Sequence, residues 1–203
     1  MSNKWDEKYR ADASPYLGPI AFVEEVIADL SPGRALDVAC GPGRHAIALA
    51  RLGWDVDAVD SSAVACEMAR SGGVAGVHVF EADLELGEFQ IAPGSYDLIV
   101  VCCYLQRDLM PSIRAGVRPG GHALMVIPMV DERVGIRPMN RQFLLTEGEL
   151  RAYFADWTIV RYGEGIPADA HRKQAQILAA NGRRCSRISK NKRERTITRN
   201  EGA

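Results

Sequence analysis

Residues 35–43 read Ala-Leu-Asp-Val-Ala-Cys-Gly-Pro-Gly, an apolar strand-like run that stops at two glycines and opens at once into a helical pattern. A buried strand, a sharp turn and a helix form the repeating unit of an α/β sheet, so this stretch limits the fold more than any other. Glycines at 41 and 43 let the backbone turn sharply and approach a ligand without interference from a Cβ. The helix that follows points its free N–H groups at whatever lies in the turn. An acidic residue, Asp37, stands inside the strand where an apolar side chain is expected. The unit predicts a nucleotide-like ligand at the end of the first parallel strand.

The order of elements agrees. The spacing predicts an amphipathic helix over 16–30, with Phe22, Val23, Val26, Ile27 and Leu30 on one stripe and Ser31-Pro32-Gly33 as its stop. Strand one spans 35–39 and a helix covers 44–52. A second strand runs 55–59 and ends at Asp60, with Ser61 or Ser62 capping the next helix through Arg70. A third, short strand over 77–80 ends near Asp83. Tyr96 to Cys103 is an apolar run of the kind buried on both faces of a sheet. A turn at Arg118-Pro119-Gly120-Gly121 precedes a fifth strand, 122–127, and residues 128–143 read as loop. Thr146 and Glu149 have capping-box spacing, which predicts a helix through Ala155. Late strands at 158–162 and 174–179 complete an α/β fold: an open, doubly wound, mostly parallel seven-stranded sheet.

A chain of 203 residues suffices for one domain with a sizeable core. No run approaches the roughly eighteen apolar residues of a membrane span, and the N-terminus offers no apolar signal-like segment. Five cysteines, at 40, 66, 102, 103 and 185, form no CxxC pair or Cys/His cluster. No metal site is therefore expected, and reduced thiols fit a cytoplasmic protein. Residues 182–203 hold eight of the 25 Lys/Arg against two of the 26 Asp/Glu. The chain accordingly divides into a domain over 1–181 and a basic tail with too few large apolar residues to fold alone. The acidic body argues against nucleic acid as the main substrate. No heptad or apolar edge discloses an oligomeric state.

Gly41-Pro42-Gly43-Arg44-His45-Ala46 also satisfies the dinucleotide pattern G-x-G-x-x-[G/A], with Asp60 near the offset for gripping a ribose. A nicotinamide oxidoreductase is thus one reading. Three features weigh against it: the helical preamble before the turn, Asp37 within strand one, and a further carboxylate, Asp83, at the end of strand three.

Taken together these residues carry a resemblance. Leu36-Asp37-Val38-Ala39-Cys40-Gly41-Pro42-Gly43 resembles the first motif of class I S-adenosylmethionine-dependent methyltransferases, Asp60 the acid that ends their second strand, and Glu81-Ala82-Asp83-Leu84 their adenine-side motif. Tyr96-Asp97-Leu98-Ile99 and Arg118-Pro119-Gly120-Gly121-His122 resemble the fourth-strand and pre-fifth-strand signatures. The likeness covers about residues 16–180. Within the superfamily, Trp5-Asp6-Glu7-Lys8-Tyr9, Gly43-Arg44-His45 and Phe143 to Leu150 are most similar to the small tellurite-resistance-type methyltransferases. One departure stands out: Ala39 occupies a position where glycine is usual.

The resemblance implies a Rossmann-like fold with an antiparallel last strand and S-adenosyl-L-methionine as cofactor. Ala39, Cys40, Gly41 and Gly43 would cradle its methionine and ribose portions. Asp37 would orient the loop or meet the methionine ammonium, or else serve as a capping carboxylate. Asp60 would accept both ribose hydroxyls with Ser61 beside it, while Asp83 and Leu84 would read the adenine. Cys102 lies at the strand end where the sulfonium belongs. Residues 1–15 would form a flap, with Arg10 touching the cofactor carboxylate. The implied reaction is methyl transfer to a small soluble acceptor, such as a thiol or a selenium or tellurium oxyanion. A non-catalytic cofactor-binding module is the alternative from another class.

Overall fold

The computed structural model describes residues 4–11 and 18–182. The basic stretch read as a tail lies, from residue 183 onward, outside the described residues. Helix α1 (Lys4–Ala11) and helix α2 (Ala21–Asp29) lead into strand β1 (Arg34–Val38), helix α3 (Arg44–Arg51), strand β2 (Asp55–Asp60), helix α4 (Ala63–Ser71) and strand β3 (Val77–Glu81). Strand β4 (Tyr96–Cys102), helix α5 (Met110–Gly116), strand β5 (Val117–Pro128), helix α6 (Glu149–Tyr153), strand β6 (Thr158–Gly165) and strand β7 (Gln174–Ala180) follow.

The strands form one seven-stranded sheet in the order β3-β2-β1-β4-β5-β7-β6. β1 to β5 pair in parallel, and β7 runs antiparallel to both β5 and β6. Side chains that alternate along β4 divide the core in two. Leu98, Val100 and Cys102 face α2 and α3 through Phe22, Val23, Val26, Ile27, Ala46 and Leu49. Ile99 and Val101 face the opposite layer, with Met110, Ile113, Leu150 and Phe154. The strand order reverses between β1 and β4, and in an open α/β sheet the crevice for a ligand lies there, beyond the carboxyl ends of the strands.

Three boundaries differ from the sequence reading. The first amphipathic helix begins at Ala21 rather than 16: Gly18, Pro19 and Ile20 are not helical, as the residue before a proline avoids the helical region. The turn expected at 118–121 lies inside β5. Pairing jumps from Tyr96↔Val117 to Leu98↔His122, so four residues loop out of the ladder. Asp97 anchors that bulge by pairing with Arg118 and by accepting the Arg34 N–H at 2.9 Å. Helix α6 is shorter than the capping-box spacing implies. The Thr146 N–H and hydroxyl both donate to Glu149, at 3.0 and 2.9 Å, but the helix starts only after Gly148, whose φ is +73°.

Among the described residues no helix is long and apolar enough to cross a membrane. None of their His, Cys, Asp and Glu side chains group in threes that could hold a metal ion.

Candidate functional site

At the end of β1 the chain turns left-handed three times within five residues, at Ala39 (φ 53°), Gly41 (φ 55°) and Gly43 (φ 82°). The Cys40 N–H still bonds to the Val59 carbonyl at 3.0 Å, and the Gly43 N–H closes the turn on the Cys40 carbonyl at 3.0 Å. Gly43 demands glycine for space as well as conformation, while at Gly41 the neighbour is the end of the Tyr9 side chain. A Cβ on Gly43 would stand 2.9 Å from the Ala69 Cβ, and one on Gly41 would stand 2.8 Å from the Tyr9 hydroxyl. Ala39 has no such freedom, and a left-handed non-glycine residue costs about 1–2 kcal/mol. The departure from glycine at 39 therefore places backbone strain at the mouth of the loop.

Asp37 explains how α3 begins here. Gly43 is its N-cap and brings no side-chain acceptor. The Asp37 carboxylate takes that part instead, accepting the Ala46 N–H at 3.0 Å while only 1% exposed. Burial pushes its carboxyl up to about 7, against the lowering effect of the Ala46 N–H and the nearby Arg44 guanidinium. Among its described contacts Asp37 caps the start of α3, the capping role the sequence allowed for it.

Asp60, at the end of β2, ties the loop to the next helix. One carboxylate oxygen accepts the Gly41 N–H at 2.8 Å and the other accepts the Ser62 N–H at 2.9 Å. Burial raises its carboxyl above the usual range. Ser62 in turn caps α4, its hydroxyl oxygen accepting the Ala65 N–H at 3.2 Å. Ser61 stands half-buried beside them. After β3, an Asp83 oxygen accepts the N–H groups of Glu85 and Leu86, at 2.8 and 3.3 Å. Leu84 is buried, and its carbonyl accepts from the Gln106 amide at 3.4 Å. Gln106 also accepts the Tyr104 hydroxyl at 2.6 Å, which links the loops after β3 and β4.

The two cysteines that end β4 point opposite ways. Cys102 is buried in the α2/α3 layer, where burial holds its thiol well above the ordinary value. Cys103 is exposed, left-handed (φ 58°), and 4.0 Å from the Arg44 guanidinium. The Cys40 thiol is buried and raised in the same way. His45, also buried, is pushed down to about 3 by desolvation, and its ring accepts the Ile20 N–H at 3.5 Å. It is a neutral packing residue. Above the crevice lies α1. Tyr9 reaches Gly41, whereas Arg10 lies along the helix, 4.0 Å from Asp6.

Beyond β4 and β5, a cavity of about 350 Å³ is lined by Glu85, Leu105, Gln106, Arg107, Asp108 and Phe143 among others. Arg107 closes one side of it, donating to Glu149 at 2.7 Å and to the carbonyls of Gln142 and Leu144 at 2.6 and 3.0 Å. Asp131 joins the loops after β5 and β6 by accepting from Arg133 at 2.7 Å and from the Lys173 N–H at 3.0 Å. Sequence reasoning missed Asp6, Gln106 and Asp131 because each acts on residues distant along the chain. Only Asp6 had a local signal, its place in the Trp5 to Tyr9 stretch.

The structure thus gathers Asp37, Ala39, Cys40, Gly41, Gly43 and Asp60 at one end of the sheet. Comparison with known proteins assigns the arrangement. Residues 5–185 match the family described as "Tellurite resistance protein TehB". The chain is 29% identical over 147 residues to the "Probable S-adenosyl-L-methionine-dependent methyltransferase TehB" of Haemophilus influenzae, covering 68% of this chain and 50% of that one. It is 32% identical over 151 residues to "Hemagglutinin 1" of Eikenella corrodens, covering 71% and 50%. The chain spans about half the length of these curated relatives. Among solved structures, TehB from Haemophilus influenzae superposes with a TM-score of 0.66 at 25% identity, over 87% of this chain and 65% of that one. The nicotinamide reading of the glycine turn gives way to this match. The chain belongs to the TehB family, and its seven-stranded α/β sheet has the fold of the solved TehB structure.

Proposed function

We propose that this chain transfers a methyl group from S-adenosyl-L-methionine to a small soluble acceptor, a thiol or a selenium or tellurium oxyanion. The observation that carries the reading is the run of carboxylates Asp37, Asp60 and Asp83, at or near the ends of β1, β2 and β3 around one glycine loop. The residues fit the cofactor. The Asp60 oxygens accept backbone N–H groups from Gly41 and Ser62, with the Ser61 N–H also turned toward them, and a carboxylate offers about four acceptor positions, which leaves room for a ribose hydroxyl. Gly43 lets the turn pack against Ala69 of α4, and Gly41 lets the Tyr9 hydroxyl approach the loop, so the backbone keeps the tight left-handed shape that such a cofactor needs. Asp83 and Leu84 stand where an adenine edge would be read, and Cys102 underlies the site from the core.

When bound, the cofactor supplies an electrophilic methyl on a sulfonium. The chain's own part is alignment and exclusion of water. Asp37 and Asp60 hold the loop, α1 covers it, and the loops joined by Arg107 and Asp131 wall the acceptor side. Burial keeps the thiols of Cys40 and Cys102 and the phenols of Tyr9 and Tyr104 protonated and His45 neutral with little affinity for a proton, while Asp37, raised to about 7, is 1% exposed and turned to the Ala46 N–H rather than to the acceptor side. A soft acceptor that arrives already ionised, as a thiolate or a selenium or tellurium oxyanion, has no proton to lose on methylation and needs no base from the chain, which favours sulfur, selenium or tellurium.

The test is calorimetry with S-adenosylhomocysteine on the chain and on Asp60→Asn, followed by turnover with thiols, selenite and tellurite. Binding that Asp60→Asn weakens at least tenfold, with methylated product, is expected. No binding to the native chain overturns the reading, and binding without turnover on any acceptor establishes a non-catalytic module instead.

A further inference from the structure

Helix α1 is polar, and Asp6 is its one buried residue. Eight residues of this composition do not hold a helix in water unaided, so α1 depends on what it touches. Three of its described contacts bear on the site. Trp5 and Phe143 both lie within 6 Å of the Lys4 ammonium, at 5.7 and 5.9 Å, beside the acceptor-side cavity. Tyr9 rests on Gly41. Asp6, only 8% exposed, accepts the Ser62 hydroxyl at 2.6 Å and the Val64 N–H at 3.3 Å.

The last contact is the strong one. A carboxylate at the first turn of α4 meets free N–H groups and the positive end of the helix dipole, out of reach of bulk water. It also reaches the cofactor site through a continuous chain of bonds. Ser62 donates its hydroxyl to Asp6 and its N–H to Asp60, and Asp60 accepts the Gly41 N–H. Tyr9, one turn along α1 from Asp6, closes the circuit on Gly41.

We propose that Asp6 is a positioning residue for cofactor binding: its carboxylate clasps α1 to the N-terminus of α4 and so holds Tyr9 as a roof on the glycine loop. The inference rests on the cofactor site assigned above. It makes α1 a closing element whose docking depends on one polar contact rather than on apolar area.

The experiment measures S-adenosylhomocysteine affinity and dissociation rate on the full chain, with Asp6→Ala, Asp6→Asn, Tyr9→Ala and the Asp6→Ala/Tyr9→Ala double variant. Amide hydrogen exchange of residues 4–11 and melting temperature are followed in parallel. Loss of the charged acceptor is expected to weaken binding about tenfold, mainly through faster dissociation. Asp6→Asn, which keeps a neutral acceptor, falls between. Exchange over 4–11 rises in Asp6→Ala while the melting temperature stays within a few degrees. Both residues act through the same docked helix, so the double variant binds within about twofold of the weaker single variant. Affinity in Asp6→Ala equal to or tighter than native overturns the proposal, as does full additivity in the double variant. Asp60→Asn separates this from failure of the site itself. If Asp60→Asn binds weakly and Asp6→Ala does not, the clasp alone is wrong; if Asp60→Asn binds normally, the site assignment is wrong.

Discussion

Replacing Asp37 by asparagine is expected to stabilise the fold at neutral and alkaline pH while weakening the cofactor site. The carboxyl is fully buried, and its titration is displaced from 3.8 to about 7 by desolvation. Between those values the folded chain holds a proton that the unfolded chain has lost, so stability falls as pH rises through the window. At about 1.4 kcal/mol per pH unit, the two units from pH 5 to pH 7 correspond to about 3 kcal/mol. Above pH 7 both states are ionised and the loss is complete. Asparagine keeps an oxygen for the Ala46 N–H and cannot ionise. Urea unfolding of both proteins at half-unit steps from pH 5 to 8.5 measures this. The native chain is expected to lose about 3 kcal/mol relative to Asp37→Asn across that range, with the gap flat above pH 7.5. The other titrating groups are common to both proteins and cancel in the difference. A difference that does not change with pH refutes the reasoning. S-adenosylhomocysteine affinity of Asp37→Asn is expected to fall, because a neutral amide accepts the Ala46 N–H less strongly than a carboxylate and holds the start of α3 beside the loop less firmly.

Two further outcomes follow from the same coordinates. His45 is held near 3 against 6.5 in a free chain, so the unfolded state takes up a proton that the folded state refuses and stability falls as pH drops below 6.5; in His45→Gln the acid limb of a urea-midpoint profile from pH 4 to 7 is expected to flatten. Gly116→Ala would place a Cβ 2.4 Å from Ile91 and 3.0 Å from Ile99, an overpacked core that costs about 1–3 kcal/mol; a thermal or urea loss under about 0.5 kcal/mol would show that the layer yields.

What the sequence disclosed follows from how local each determinant is. Strand β4 was legible because an uninterrupted apolar run is required when both faces are buried, and the structure buries Leu98, Ile99, Val100 and Val101 almost completely. The cofactor loop was legible because Gly41 and Gly43 serve a conformation that few other residues adopt. Of the adjacent Cys102 and Cys103, Cys102 is buried and Cys103 is the exposed one. Boundaries set by distant partners were not legible. The bulge at 118–121 depends on Asp97 and Arg34, and the late start of α6 depends on a left-handed Gly148. Asp6 and Asp131 work across 56 and 42 residues of chain, and no spacing rule reaches that far.

The hydrogen bonds from Asp37 and Asp60 have one more consequence. Asp60 fixes the glycine loop through the Gly41 N–H, and Asp37 fixes the first turn of α3 behind it through the Ala46 N–H. Ordering a residue's backbone costs about 1–2 kcal/mol, and here that cost is met during folding rather than at the binding step. The glycine loop is a template whose shape the fold itself supplies, held by Asp60 directly and by Asp37 through the first turn of α3.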